Sequence, residues 1–388
     1  MKVNTISSFL FAFSVAILIN APSIKVIFYS TEIVNILGTF LIIMVGILRS
    51  LKKSTINVNL NIILAAISIT LLWGFLLISS FWSPEVVESK SIFQYLAVFV
   101  ASLTMLLLSN KSDIKYYLTL QVVWSLFVAL MHLTVGIQTD SSQGEHYLTI
   151  GLPIGIGLVI STGYIVKRIN VKDSNYHVLQ IVIFIMLLIG LITLRGRSPV
   201  IMSIITIYFF WVMLILKSRR KIIKNSFILT TITGIGLFIV AKFSSDIWLD
   251  RLMRFSDSSY EEPRIEIYQR TIKLISENIL GYGLNSYSSI TMGNYPHNIF
   301  LEITFYSGLI GLTFFSFFIW IFIKSVLKAI TSRNFELITI SMVAVYVLLI
   351  WNVSYSLSST YVPFVALCFA VSTINKLDFD NRSVASLV

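Results

Sequence analysis

The chain has 388 residues, of which 56% are hydrophobic and 12% charged, with 28 Phe, 17 Tyr and 7 Trp. A soluble domain carries about 25% charged residues, so this composition excludes an ordinary globular protein and points to a bilayer. The net charge of +11 is scattered in short loops between apolar runs, which excludes a basic nucleic-acid-binding face and reads instead as membrane topology.

About twelve apolar segments approach the length of roughly 20 residues that spans a bilayer. In chain order they fall near 6–21, 27–48, 60–81, 92–109, 115–137, 147–166, 178–194, 198–216, 224–242, 297–323, 335–352 and 355–374. The first is too long for a signal peptide and lacks a small-residue cleavage site, so it reads as a retained helix. The expected fold is an all-α polytopic membrane protein. Residues 1–242 hold helices 1–9, residues 243–296 form one large outer loop, and residues 297–388 hold helices 10–12 and a short tail. The single cysteine, Cys368, makes no internal disulfide and suggests no metal site.

The loops orient the bundle. Alternate loops carry Lys2; Arg49, Lys52 and Lys53; Lys111 and Lys115; Lys167, Arg168 and Lys172; and the run Lys217, Arg219, Arg220, Lys221, Lys224. Lys324, Lys328 and Arg333 follow, then Lys376 and Arg382. Most of the 29 basic residues therefore lie on one face, which the positive-inside rule assigns to the cytoplasm together with both termini.

Some arginines stand against that bias. Arg195 and Arg197 occupy the short turn "LRGRSP", and Arg251, Arg254, Arg264, Arg270 and Lys273 lie in the outer loop. Arg251 and Arg254 have Asp246, Asp250 and Asp257 nearby as solvated partners. Arg195 and Arg197 must sit at the membrane surface, where a charge is a functional candidate or snorkels to headgroups. Within the loop, Pro263 suits a helix start, and Gly281 and Gly283 a stop. Ile265, Tyr268, Ile272, Ile275 and Ile279 recur at spacings of 3 and 4, which predicts one apolar stripe of an amphipathic helix lying on the membrane or capping the bundle. Arg264 stands off that stripe at the helix start, where unpaired amides also favour an anion.

Just after the loop comes "YPHNIFLEITFYSGLIG", residues 295–311. Here His297 and Asn298 stand at the mouth of an apolar helix, with Glu302 about one turn inside. Guanidinium forks bind phosphate oxygens in bidentate fashion, and an imidazole exchanges protons near neutral pH. Arg195, Arg197, Arg264, Arg270, His297 and Asn298 on one face therefore suit a lipid-linked diphosphate, and equally an anion transporter.

The stretch "PHNIFLEITFYSGLIGL" has His-Asn, nine residues, then Gly308-x-x-Gly311, and it resembles the signature of the O-antigen polymerase and O-antigen ligase superfamily. "PRIEIYQRTIKLISENILGYGLNSY" is similar to that family's outer-loop pattern, with Asn278-Ile279-Leu280 where a proline is common, and "LRGRSPVI" to its short arginine-bearing turn. The resemblance implies a GT-C-like glycosyltransferase, metal-independent and inverting, acting on the periplasmic face of the bacterial inner membrane without a cofactor. Its donor would be an undecaprenyl diphosphate-linked glycan. Its acceptor would be a second lipid-linked glycan for a polymerase or lipid A-core for a ligase, and a chain-length regulator is a candidate partner. In that reading His297 is the base, and Arg264 and Arg195 stabilise the leaving diphosphate. Arg197, Arg270, Asn298 and Glu302 contact substrate, although Glu302 suits helix packing almost as well. His132, His146 and His177 lack such company. Asp378 and Asp380, the one Asp-x-Asp on the tail, fall on the cytoplasmic side and argue against a metal-dependent nucleotide-sugar enzyme. The wording "YPHNIFLE" and the modest outer loop favour polymerase over ligase. A flippase of lipid-linked glycans is the reading from another class, but such carriers usually show two similar halves, and no repeat relates the first six segments to the last six.

Overall fold

The computed structural model describes residues 2–28, 33–52, 59–136, 146–169, 177–194, 196–217, 263–293, 295–332, 334–357 and 361–376. Thirteen α-helices and one short 3-10 turn account for them, and no strand occurs among the described residues. The helices are α1 (Lys2–Ile27), α2 (Ile33–Lys52), α3 (Leu60–Ile78), α4 (Ser89–Leu108), α5 (Lys111–Val135), α6 (His146–Ile169), α7 (His177–Ile192) and α8 (Arg197–Lys217). After them come α9 (Pro263–Glu277), α10 (Tyr287–Thr291), α11 (Ile299–Ser332), α12 (Phe335–Trp351) and α13 (Tyr361–Asn375). Among the described residues, 7 helices are long and apolar enough to cross a membrane, and four shorter apolar ones (in α7, α8, α12 and α13) accompany them. The protein is a polytopic helical membrane protein. These helices overlap the expected segments, though the first extends to Lys2–Ile27 where 6–21 was expected, the second lies at Ile33–Lys52 where 27–48 was expected, the tenth runs on to Ser332, and the last is described from Tyr361. The segment expected at 224–242 lies outside the described residues, as do residues 243–262 of the expected outer loop and most of the tail.

Burial explains the layering. Every residue of α13 is buried, and α6 is buried along nearly all of its described length. Helices that are apolar all round belong inside a bundle, and these two form its centre, α13 against α1, α3, α4, α11 and α12, and α6 against α1, α5, α7, α8 and α12. Close approach to α6 rests on small residues. Gly151 faces Pro199, Gly155 faces Tyr346, Gly157 faces Ser125 and Gly163 faces Thr339. Glycine at such contacts lets helices meet where no hydrophobic effect drives them together.

Polar residues tie the helices at defined depths. Asn20 of α1 and Gln121 of α5 exchange two amide hydrogen bonds of 2.7 and 3.0 Å inside the bundle. At one end Arg49 spends all five guanidinium N–H groups. Its Nε donates to Ser7 Oγ, one terminal nitrogen to Leu108 O and Asp113 Oδ2, and the other to Ser7 O and Asp113 Oδ1, all within 3.0 Å. The fork also lies 4.2 Å from the Phe11 ring centre. Arg49 is thus a buried clamp joining α1, α2, α4 and α5. The same end holds Asn375, which donates to Ser325 Oγ and accepts from Asn59 and Asn61. Both the start of α1 and the finish of α13 therefore lie at this basic end. The chain leaves α8 there and reappears in α9 at the opposite end.

Candidate functional site

That opposite end is organised around the turn after α12. Three distant pieces of chain bond to residues 352–354. The hydroxyls of Ser198 and Ser354 meet at 2.7 Å, Tyr295 Oη donates to Ser354 O at 3.3 Å, and Tyr268 Oη reaches Asn352 O at a longer 3.5 Å. Ser198 follows Arg197 at the start of α8, Tyr268 lies one turn past Arg264 on α9, and Tyr295 is two residues before His297. A fourth tie comes from below. Glu302 is buried; its Oε2 accepts the Leu357 N–H at 2.7 Å and its Oε1 accepts from Tyr306 Oη at 3.4 Å. A backbone amide at this depth needs an acceptor, and the carboxylate supplies it.

His297 and Asn298 precede the helix and do not begin it. Asn298 is the N-cap of α11, its Oδ1 accepting from the Phe300 and Leu301 amides at 3.0 and 3.1 Å. Asparagine is among the best capping residues because it satisfies amides that the first turn leaves open, so its oxygen is committed to the backbone. His297 adopts φ of 53°, the left-handed region that costs a non-glycine residue about 1–2 kcal/mol. Its half-buried ring lies 4.2 Å from that of Tyr295, tilted by 52°. Strain of this kind persists where the surroundings over-determine it; here the cap on one side and the Tyr295 bond on the other hold the histidine between them.

The arginines divide. Arg264, half-buried, is one helical turn before Tyr268, and residues at i and i+4 share a face, so it belongs to the side of α9 that meets the 352–354 turn. Arg270 is exposed on the charged side of the same helix, away from that turn. Arg197 begins α8 beside Ser198, while Arg195 and the side chain of Arg197 lie outside the described residues. The loop 278–286 locks this end together. α11 breaks at Gly308 (φ 62°, ψ −162°), which frees carbonyls that a continuous helix would use. Tyr282 N–H donates to Phe305 O at 2.8 Å, Gly283 N–H to Tyr306 O at 3.0 Å, and Leu309 N–H returns the bond to Ile279 O at 3.0 Å. A Cβ on Gly308 would strike Ile279 O and the Leu280 backbone, and one on Gly281 would strike Gly308. The Tyr282 phenol donates to Leu274 O at 3.1 Å; burial, with the Glu277 charge adding to it, pushes its pKa up and keeps it a donor.

Residues 182–316 match the family model of O-antigen ligase. The match runs from α7 into α11 and includes Arg195, Arg197, Arg264, Arg270, His297, Asn298, Glu302 and both glycines of the Gly-x-x-Gly element. No curated protein matches the chain. Over that stretch, about a third of the chain, the protein is similar to the O-antigen ligase family.

Sequence reasoning missed Tyr268, Tyr295, Ser198, Ser354 and the Leu357 amide. The signal available was "WNVSYSLSSTY", residues 351–361, a polar run between two apolar segments on the same face as the arginines. Among the described residues no three His, Cys, Asp or Glu side chains gather as a metal site requires.

Proposed function

We propose that the protein polymerises undecaprenyl diphosphate-linked glycan repeat units on the periplasmic face of the bacterial inner membrane. The observation that carries this reading is the convergence on the Asn352–Ser354 turn of the Arg197-bearing end of α8, the Arg264-bearing face of α9 and the Tyr295–His297 segment. An acceptor hydroxyl attacks the anomeric carbon of the donor, His297 takes its proton, and the diphosphate leaves with inversion. Arg264 and Arg195 meet the charge that develops on the leaving group, as fixed cations do in a water-poor site. Arg197 supports them. Asn298 and Glu302 serve by holding α11 and the 352–357 turn in place, and Arg270 is left a peripheral role at the water-facing side. The description of the matching family favours a second reading, transfer of the finished glycan to lipid A-core.

A deletion strain carrying each variant at matched expression tests both. Bare core with intact lipid-linked polymer in the empty strain marks a ligase, and a single repeat unit on lipid A-core marks a polymerase. Arg264→Ala is expected to abolish the long-chain ladder on a silver-stained lipopolysaccharide gel while the protein still accumulates. Arg264→Lys keeps the charge but loses the bidentate fork, so it too should fail. A normal ladder from Arg264→Lys removes the fork from the mechanism.

A further inference from the structure

The amphipathic helix of the outer loop has three sides where its sequence predicts two. Thr271 is buried, and Ile267, Leu274 and Ile275 are half-buried against the bundle. Glu266, Gln269, Arg270, Lys273 and Glu277 are exposed on a second, charged side. Between them runs a third line. Ile265 and Ile272 are 54% and 55% exposed, and Ile279 and Leu280 continue the line beyond the helix end at 59% and 60%. Residues seven apart lie almost above one another on a helix. The predicted stripe is therefore split, with Tyr268 and Ile275 facing protein and Ile265, Ile272 and Ile279 facing outward.

We infer that this third side lies in the lipid of the adjacent leaflet, with α9 floating at the boundary and its charged side in water. The occupant follows from continuity. Leu309 N–H bonds Ile279 O at 3.0 Å, and the Leu280 backbone rests on Gly308. Leu309 and Ile310, 47% and 39% exposed, begin the surface that α11 shows to acyl chains. The apolar line of α9 thus adjoins a lipid-facing surface with no polar step between them. Trp82 stands beside the junction, its indole N–H donating to Gly281 O at 3.2 Å and its ring partly exposed. Tryptophan favours this depth because one edge is polar and the rest apolar. A helix with a charged face, an apolar flank and basic residues on the charged face behaves as an interfacial helix. This placement holds whatever reaction the bundle catalyses. It also sets Arg264, on the protein-facing side at the start of the helix, at headgroup depth.

Single cysteines at Ile265, Ile272, Lys273 and Leu309 in the full chain, labelled with an environment-sensitive fluorophore and reconstituted in phosphatidylethanolamine–phosphatidylglycerol vesicles, test it. Cys368 is buried, so the parent chain controls for background labelling. Quenching by phosphatidylcholine spin-labelled near the top of its acyl chain is compared with quenching by aqueous iodide. Ile265→Cys and Ile272→Cys should follow the Leu309→Cys lipid control, several-fold more sensitive to the spin-labelled lipid, while Lys273→Cys responds to iodide. Iodide quenching at Ile265→Cys and Ile272→Cys equal to that at Lys273→Cys would place the line in water and overturn the inference. Protection from both quenchers would overturn it equally, by showing that residues 243–262 or a second copy of the chain cover the line.

Discussion

His297 couples a strained backbone to an imidazole ring, and the two can be separated by substitution. Asparagine tolerates the left-handed region better than most residues, so His297→Asn preserves the backbone at φ near 53° and removes the imidazole. If the ring takes the acceptor proton, His297→Asn should accumulate like the parent yet lose transfer by about 10²–10⁴-fold, the usual cost of a missing general base. Initial rates of glycan transfer in membranes at matched protein level check this. A parent-like rate would leave His297 a structural role beside Tyr295. The ring itself was legible in the sequence, because histidine at a helix mouth among arginines is a chemical pattern. Its partner was not: Tyr295 acquires its place from Ser354, 59 residues away, and no local rule carries that distance.

At the scale of the element, α11 is two helices joined at a break. Its glycine has a dihedral pair in the region that only glycine occupies readily, where another residue stores about 1–3 kcal/mol, and a Cβ there also meets the Ile279–Leu280 backbone. Gly311 has helical geometry, and the atoms nearest its Cβ belong to the Ser307 and Ile303 side chains, not to another segment's backbone. Gly308→Ala should therefore lower the amount of folded protein recovered in detergent far more than Gly311→Ala, measured by size-exclusion fluorescence of a tagged chain. Equal recovery would show that the break is not held by the 279–283 loop. The span positions were readable because apolar length is a local property; α3 was expected at 60–81 and occupies Leu60–Ile78 with the short turn Ser79–Trp82 beyond it. The break was not readable, since it exists only with the Tyr282 and Gly283 amides that occupy the freed carbonyls. The stripe on α9 was half readable for the same reason: spacing marks which residues align, and the neighbouring α11 decides which of them find protein.

For the whole molecule, contacts among the described helices mark two ends. The clusters around Arg49, Asn375 and Lys376 occupy one end, and the Ser198, Tyr268 and Tyr295 contacts occupy the other. The positive-inside rule then predicts that a reporter fused after residue 221 is cytoplasmic and one inserted near Ser258 is periplasmic. Paired alkaline phosphatase and green fluorescent protein fusions read this directly, and both reporters on one side would require a different crossing between α8 and α9.

Chain order adds a clock to the Arg49 clamp. Asp113 lies 64 residues after its partner, so α2 enters the bilayer before the carboxylate that will receive its guanidinium has been synthesised. Until α5 arrives, Arg49 must rest at the lipid–water boundary, where its charge resists translocation and keeps the end of α2 on its own side. The bonds to Asp113 that complete its contacts with α1, α4 and α5 cannot form before that residue exists. One arginine thus acts twice in the life of the chain, first as an anchor during insertion and then as a rivet in the finished bundle.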